Sequence, residues 1–431
     1  MKNRILGLLG LSAVIAGIQQ LFALQLWSCG LIWLTGILFL PWIFRWLERG
    51  RRAKEEYYEM TTYMEQLLCS YRRLGKLSPA LEDCISLFSA DSPMGQALRQ
   101  AKHMLKTGEG VVDGELVRGA LACIGGSYAS RRLLLLHEFL ERAEKVGGES
   151  EEALDILLHD LQMWKKRTTL YQKKKQFIRA ECGVALLLAG GLCGLSRLLF
   201  PLHPGERLIQ SLVYQITTMV FVIALFVVEA MMICKLTGTW LDTREISGKK
   251  ERRQLKREYA IVQRKGAGIR RSLAKRICQL EVEREFPYWL LSVTLYLQQE
   301  SVFLAISRSL EHLQGIFRTE VKRLRRCIYE TPSGLSPFTE FFHALELPEV
   351  QTGMKLLYSV NYSGYQEAGG QIRFLVEQNN LVMDKCESRR FENQAAGLGM
   401  LKQIPMALAS IKVVVDMILF LAITMNDSGM L

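Results

Sequence analysis

The stretch LIQSLVYQITTMVFVIALFVVEAMMIC, Leu208 to Cys234, decides how the whole chain is read. It is apolar for longer than the about 20 helical residues needed to cross a bilayer, and its one carboxylate, Glu229, falls near the end. A second apolar run, GVALLLAGGLCGLSRLLF (Gly183 to Phe200), precedes it across the short connection PLHPGERL. Upstream lies KKRTTLYQKKKQFIR (Lys165 to Arg179), and downstream KKERRQLKREYAIVQRKGAGIRRSLAKR (Lys249 to Arg276). Lys and Arg flanks are retained on the cytoplasmic side, so the two runs predict a pair of spans with both flanks inside and the connection outside.

The same pattern recurs towards both termini. Ile5 to Phe44 is apolar over about twice the span length and is dented by Gln19, Gln20 and Gln25, which predicts a tight helical hairpin. Lys2 and Arg4 before it and RWLERGRRAK (Arg45 to Lys54) after it put both ends inside. A cleaved signal peptide is the competing reading, but a second apolar segment follows at once, with no convincing small-residue cleavage site between the two. At the other terminus IPMALASIKVVVDMILFLAITM (Ile404 to Met425) crosses once and leaves NDSGML outside.

The expectation is an all-α, multi-pass membrane protein with about five transmembrane helices, its N-terminus cytoplasmic and its C-terminus outside. Residues 1–45 form an N-terminal transmembrane hairpin, 46–180 a first cytoplasmic helical bundle, and 181–235 the central helix pair. Residues 236–402 form a basic linker and a second bundle, and 403–431 the last span with its outer tail.

Composition agrees with that alternation. With 49% hydrophobic and 23% charged residues, the 431-residue chain is too greasy for an ordinary soluble protein and too charged to lie wholly in a bilayer. The net charge of +12 points to anionic headgroups and not to nucleic acid, because the Lys and Arg clusters hug the ends of the predicted spans. The ten cysteines show no CxxC and no Cys/His cluster at zinc spacing, so free thiols are expected, with no metal and no cofactor.

Both water-exposed regions read as helical. Leu136, Phe139, Leu140 and Ala143 form one helical stripe, and Leu154, Leu157, Leu158 and Leu161 form another, with a turn at Gly147 and Gly148 between them. Glycine ends a helix readily, and Glu149, Glu151 and Glu152 then load the positive first turn of the next. Each region has room for about six helices of ordinary length. The regions also resemble each other. MEQLLCSYRRLGKLSPALEDC (Met64 to Cys84) matches LLSVTLYLQQESVFLAISRSL (Leu290 to Leu310) in form, and KVGGESEEALDILLHDL has a counterpart in NYSGYQEAGGQIRFLVEQNNL. A repeat at roughly 220 residues implies duplication of a bundle with its span.

The arrangement resembles the F-type inner-membrane platform proteins of type II secretion systems, type IV pili and Tad (tight adherence) pili. The resemblance is carried by RRLGKLSPALEDC, AEKVGGESEEALDIL and the basic helix that reaches a span at Glu181. In the second half it is carried by EFPYWLLSVTLYLQQESVFLAI, LELPEVQTGMKLLYSVNYSGYQ and IPMALASIKVVVDMILF. The leading hairpin is more like Tad-type members, which are usually shorter chains with one such domain each. The resemblance implies two homologous six-helix cytoplasmic domains in the bacterial cytoplasmic membrane and no catalytic activity. It also implies coupling of a cytoplasmic hexameric ATPase to pilin or pseudopilin assembly, commonly as a homo-oligomer or a hetero-oligomer of paralogues. The chain has no GxxxxGK[ST] loop, so nucleotide chemistry would come from the partner.

Two sets of residues stand out as candidate sites. Lys412 and Asp416 share a helix face within the last apolar run, where charge is costly unless paired, and Lys412 has an alternative in snorkelling towards headgroups. Together with Glu229 they suggest a helix contact, or in a rival reading an ion-coupled transporter or membrane enzyme that uses Asp416 and Glu229. The turn positions Gly75, Gly147, Gly148, Glu149, Ser363 and Gly364 are candidate partner contacts, with simple helix termination as the plainer role.

Overall fold

The computed structural model describes residues 2–107, 113–128, 130–146, 151–198, 202–237, 249–264, 268–311, 313–363 and 368–427. Every regular element among the described residues is helical. In order they are α1 (Lys2–Phe22), α2 (Leu26–Leu74), α3 (Leu77–Ile85), α4 (Pro93–Thr107), α5 (Asp113–Ser127), α6 (Arg131–Val146), α7 (Glu151–Leu198) and α8 (Leu202–Gln210). They continue with α9 (Leu212–Leu236), α10 (Lys249–Gln263), α11 (Ile269–Leu297), α12 (Val302–Ser309), α13 (Gly315–Glu330) and α14 (Ser336–Glu340). A short 3-10 turn (His343–Leu345), α15 (Pro348–Ser363) and α16 (Ala368–Asp427) complete the chain.

These elements divide into two compact units. The first gathers Met1–Glu55, Thr168–Trp240 and Phe391–Leu431, and the second gathers Glu56–Arg167 and Leu241–Arg390. Three helices, α2, α7 and α16, contribute residues to both.

The first unit holds the apolar runs. Among the described residues four helices are long and apolar enough to cross a membrane: α2, α7, α9 and α16. The described apolar part of α1, Leu8–Phe22, is shorter. The predicted hairpin is present as α1, a turn at Ala23 to Gln25, and α2, with the polar dent of Gln19, Gln20 and Gln25 falling at the turn. From Leu202 onward the connection PLHPGERL is helical. It folds into α8, because Pro204 in the first turn costs no hydrogen bond, and Ser211 then caps α9 by accepting from the Tyr214 amide at 3.3 Å. Inside the unit Ile15, Phe22, Ile32, Ala189, Phe221 and Ala409 pack together. Gly194 lets α7 approach α1, since a Cβ there would sit 2.5 Å from Leu21. Leu187, Leu195, Leu212, Ile418 and Leu421 face outward, as lipid-facing side chains do.

In the second unit the predicted stripes are core. Leu136, Phe139, Leu140, Ala143, Leu154, Leu157 and Leu161 are buried, and Leu158 is half-buried. Glu151 and Glu152 occupy the first turn of α7, where negative charge complements the helix dipole. Later in the chain an aromatic cluster of Phe286, Trp289, Phe317, Phe341 and Phe342 forms the centre of a second core. The Trp289 indole donates to Ser309 at 2.9 Å, which satisfies its buried N–H.

Helix order repeats along the chain. After the long α2 come helices of 9, 15, 15 and 16 residues and then the 48-residue α7. After α11 come helices of 8 and 16 residues, the short α14 with its 3-10 turn, one of 16, and the 60-residue α16. The offset is roughly 220 positions throughout, and the fourth member, α5, is the one replaced by two short pieces.

Candidate functional site

In the first unit, Lys412 and Asp416 lie one turn apart on α16, so their side chains meet, and each residue is only 3% exposed. Lys412 therefore does not snorkel; its ammonium is spent on Asp416 and on the face of Tyr214, whose ring centre lies 4.3 Å away. The Tyr214 hydroxyl donates to the Phe22 carbonyl at 3.4 Å at the end of α1. The next residue, Gln215, is fully buried and uses its whole amide. Its Oε1 accepts from the Gln25 amide at 3.0 Å and the Ser28 hydroxyl at 3.1 Å, and its Nε2 donates to the carbonyls of Ala23 and Ile209 at 3.4 and 2.9 Å. On α7, Cys193 donates to the Ala409 carbonyl at 3.6 Å, one turn from Lys412. One polar cluster thus ties α1, α2, α7, α9 and α16 together, and its members neutralise one another.

Glu229 does not join this cluster. It lies fifteen residues beyond Tyr214 on α9, about 22 Å further along at 1.5 Å per residue, where Arg179 is its electrostatic neighbour. The structure therefore brings Lys412 and Asp416 together and leaves Glu229 apart. With Asp416 and Glu229 separated in this way, they do not form a carboxylate dyad of the kind that shares a proton.

A second buried charge cluster lies in the other unit. Arg131 and Arg132 open α6, where the positive end of the helix dipole disfavours them, so tertiary partners must hold them. Arg132 Nε donates to Asp160 Oδ2 on α7 at 2.9 Å, and Nη1 donates to the Tyr288 hydroxyl on α11 at 3.0 Å. Its guanidinium lies 4.7 Å over Trp164 and 5.1 Å over Tyr288. Glu387 on α16 completes the set, 2.9 Å from Arg167 and 3.8 Å from Arg132. Arg131 pairs with Glu285 at 2.5 Å, and Glu138 accepts from the Tyr296 hydroxyl. Burial first, and then the Glu138 carboxylate, push the Tyr296 phenol well above its ordinary range. These contacts run from the first half of the chain to the second, so the two helical halves of this unit are joined by charge.

Within the first half, His137 is buried against Tyr63, whose hydroxyl lies 3.0 Å from Nε2. Burial lowers its pKa to about 3, against an opposing backbone hydrogen bond at Leu121, so the ring is neutral at physiological pH.

Of the turn positions, Gly75 follows α2 with φ +65° and donates its amide to the Tyr71 carbonyl at 2.8 Å, a left-handed helix stop. Ser363 is the last residue of α15. Gly147, Gly148, Glu149 and Gly364 lie outside the described residues. Among the described residues no three His, Cys, Asp or Glu side chains gather as a metal site.

Sequence patterning does not single out Tyr214, Gln215, Arg132, Asp160, Arg167 or Glu387. The usable signals were two arginines in a helix's first turn, an aspartate beside an apolar stripe, and adjacent Tyr and Gln inside a span.

Comparison of the chain with family models, with curated proteins and with solved structures finds no match.

Proposed function

We propose that this protein is a non-enzymatic platform of the bacterial cytoplasmic membrane. It couples a cytoplasmic hexameric ATPase to the extraction and assembly of pilin-like subunits, in a Tad-like or type IV pilus or a type II secretion system. In this reading α1 crosses as a fifth span, the N-terminus is cytoplasmic, the C-terminus is outside, and the two halves of the second unit are homologous bundles on the cytoplasmic side. The observation that carries the reading is the build of α2, α7 and α16. Each joins a span-length apolar segment to a polar segment of a doubled helical unit without interruption. An uninterrupted helix can pass a displacement from water into hydrocarbon, and small shifts of packed helices are an established form of such coupling. The ion pairs between the halves support the same role, because a push received by one half is then shared by the other.

The rival reading, an ion-coupled transporter using Asp416 and Glu229, is favoured less, because those carboxylates belong to separate levels of the membrane unit. Purified chain should bind the cognate assembly ATPase, and its deletion should abolish pili while leaving pilin processing intact. Normal piliation in the deletion strain overturns the proposal.

A further inference from the structure

One surface of the second unit is explained neither by its own core nor by the proposed coupling. Ile269, Leu273, Ile277 and Leu280 recur at helical spacing along the first half of α11 and are 83%, 59%, 44% and 52% exposed. The opposite face of the same turns is buried: Ala274 and Cys278 pack with Tyr259 and Val262 of α10. The helix is therefore amphipathic in an inverted sense, held in place by its buried side while a row of four aliphatic side chains points outward. Single exposed aliphatic residues need no explanation, but a continuous row does.

Charge identifies what would cover it. Exposed Arg270 and Arg276 border the row, and exposed Lys250, Arg253, Lys256 and Arg257 lie on the neighbouring α10. Across α10 and Ile269–Leu280 there are ten Lys and Arg residues against two carboxylates, Glu251 and Glu258. Aliphatic rows bordered by cations suit the boundary between acyl chains and anionic headgroups.

Position within the unit agrees. Arg389, just before α16 leaves this unit at Arg390, pairs with Glu283 at 2.9 Å, less than one turn beyond Leu280. The span-length segment of α16 begins soon after, at Leu398. In sequence, only residues 237–248 separate α9 from α10.

The geometry points to an interfacial membrane anchor. The Ile269–Leu280 face of α11, assisted by the cations of α10, lies on an anionic lipid surface with its aliphatic row in the acyl boundary. Such a contact would fix the distance between the helical unit and the bilayer, so that displacement is not lost in slack.

The test uses the full chain reconstituted in vesicles of phosphatidylglycerol and phosphatidylethanolamine, with a fluorescent amino acid replacing Leu273. A control carries the same label at Leu304 of α12, an exposed site outside the row and on a different helix. Brominated lipid should quench the label at 273 and spare the one at 304. Iodide in the water should quench 273 roughly fivefold less than 304 if the row is embedded. The double variant R270Q/R276Q, or salt at about 0.5 M with its screening length of roughly 4 Å, should restore much of the iodide access.

Full iodide access at 273 overturns the assignment. Protection without bromolipid quenching overturns it too, since the cover is then a second copy or another protein. Protection that appears only when the assembly ATPase is added has the same meaning. The inference rests on the membrane-spanning reading and not on the pilus one. Failure of the chain to float with vesicles after an alkaline wash would overturn it together with that reading, whereas normal piliation in a deletion strain would leave it standing.

Discussion

Arg132→Met removes the centre of the buried network while keeping most of the side chain's volume. The substitution deletes the ion pair to Asp160, the hydrogen bond to Tyr288 and the stacking over Trp164, and it leaves the nearly buried Asp160 without its cation. Stranding one member of a buried pair costs about 3–5 kcal/mol, far more than the net worth of the intact pair. At about 2–4 °C per kcal/mol the unfolding midpoint should fall by roughly 6–20 °C. Thermal unfolding of the detergent-solubilised chain, followed by tryptophan fluorescence, reads this directly, and Trp164 itself sits in the cluster. Adding Asp160→Asn to Arg132→Met should recover at least half the loss, because the stranded charge is then gone. A midpoint within a degree of the parent for Arg132→Met, or no recovery in the double variant, would refute the claim that these charges are desolvated and hold the halves together.

Other outcomes follow from the same physics. Asp416→Asn leaves the buried Lys412 ammonium without its counter-ion and should cost about 3–5 kcal/mol, whereas Lys412→Met with Asp416→Leu should come close to the parent in the same unfolding assay. His137 is neutral when folded, with its pKa lowered to about 3, and titrates near 6.5 when unfolded. Its contribution is complete above pH 6.5 and is lost as pH falls towards 3, because the unfolded chain binds the proton first. At pH 5 the loss should be about 2 kcal/mol, and His137→Gln should flatten that part of the stability-against-pH curve. Gly353→Val drives a side chain into Phe286, 2.8 Å from where a Cβ would sit, and should destabilise by about 1–3 kcal/mol, measured by urea or thermal unfolding. Gly75→Ala strains a left-handed turn at φ +65° with open space around it, so about 1 kcal/mol is expected in the same measurement.

What the sequence made legible follows from the range of the interactions concerned. Long apolar runs and helical stripes are local signals, and Leu136, Leu140 and Leu157 end up buried as their spacing requires. The i, i+4 relation of Lys412 and Asp416 is also local, and the pair forms. The third partner, Tyr214, lies almost two hundred residues earlier, and nothing in spacing links an aromatic residue on one span to a lysine on another. The same holds for Arg132, whose partners come from α7, α11 and α16. PLHPGERL carries Pro and Gly, which in a short segment usually mark a turn, yet it is helical from Leu202, because proline in a helix's first turn breaks nothing. Asp416 and Glu229 both lie in apolar runs, yet Glu229 sits about 22 Å along α9 from Tyr214, the neighbour of Lys412, and spacing in sequence carries no sign of that separation.

Both buried charge clusters sit where segments distant in the chain meet, and neither is an efficient way to add stability, since well-packed aliphatic residues would serve as well or better. What such pairs do well is fix register. A slip of one turn between α9 and α16, about 5.4 Å, would carry the Lys412 ammonium off the Tyr214 ring, and a similar slip of α6 against α11 would strand Arg132 from Tyr288. Apolar helix faces resist sliding only weakly, because one methyl replaces another at each step, whereas a charge cluster has a single satisfied position. In the proposed platform role a load-bearing protein needs that single position within each unit, which gives a physical reason for an ion pair in an apolar helix and an arginine network in a helical core.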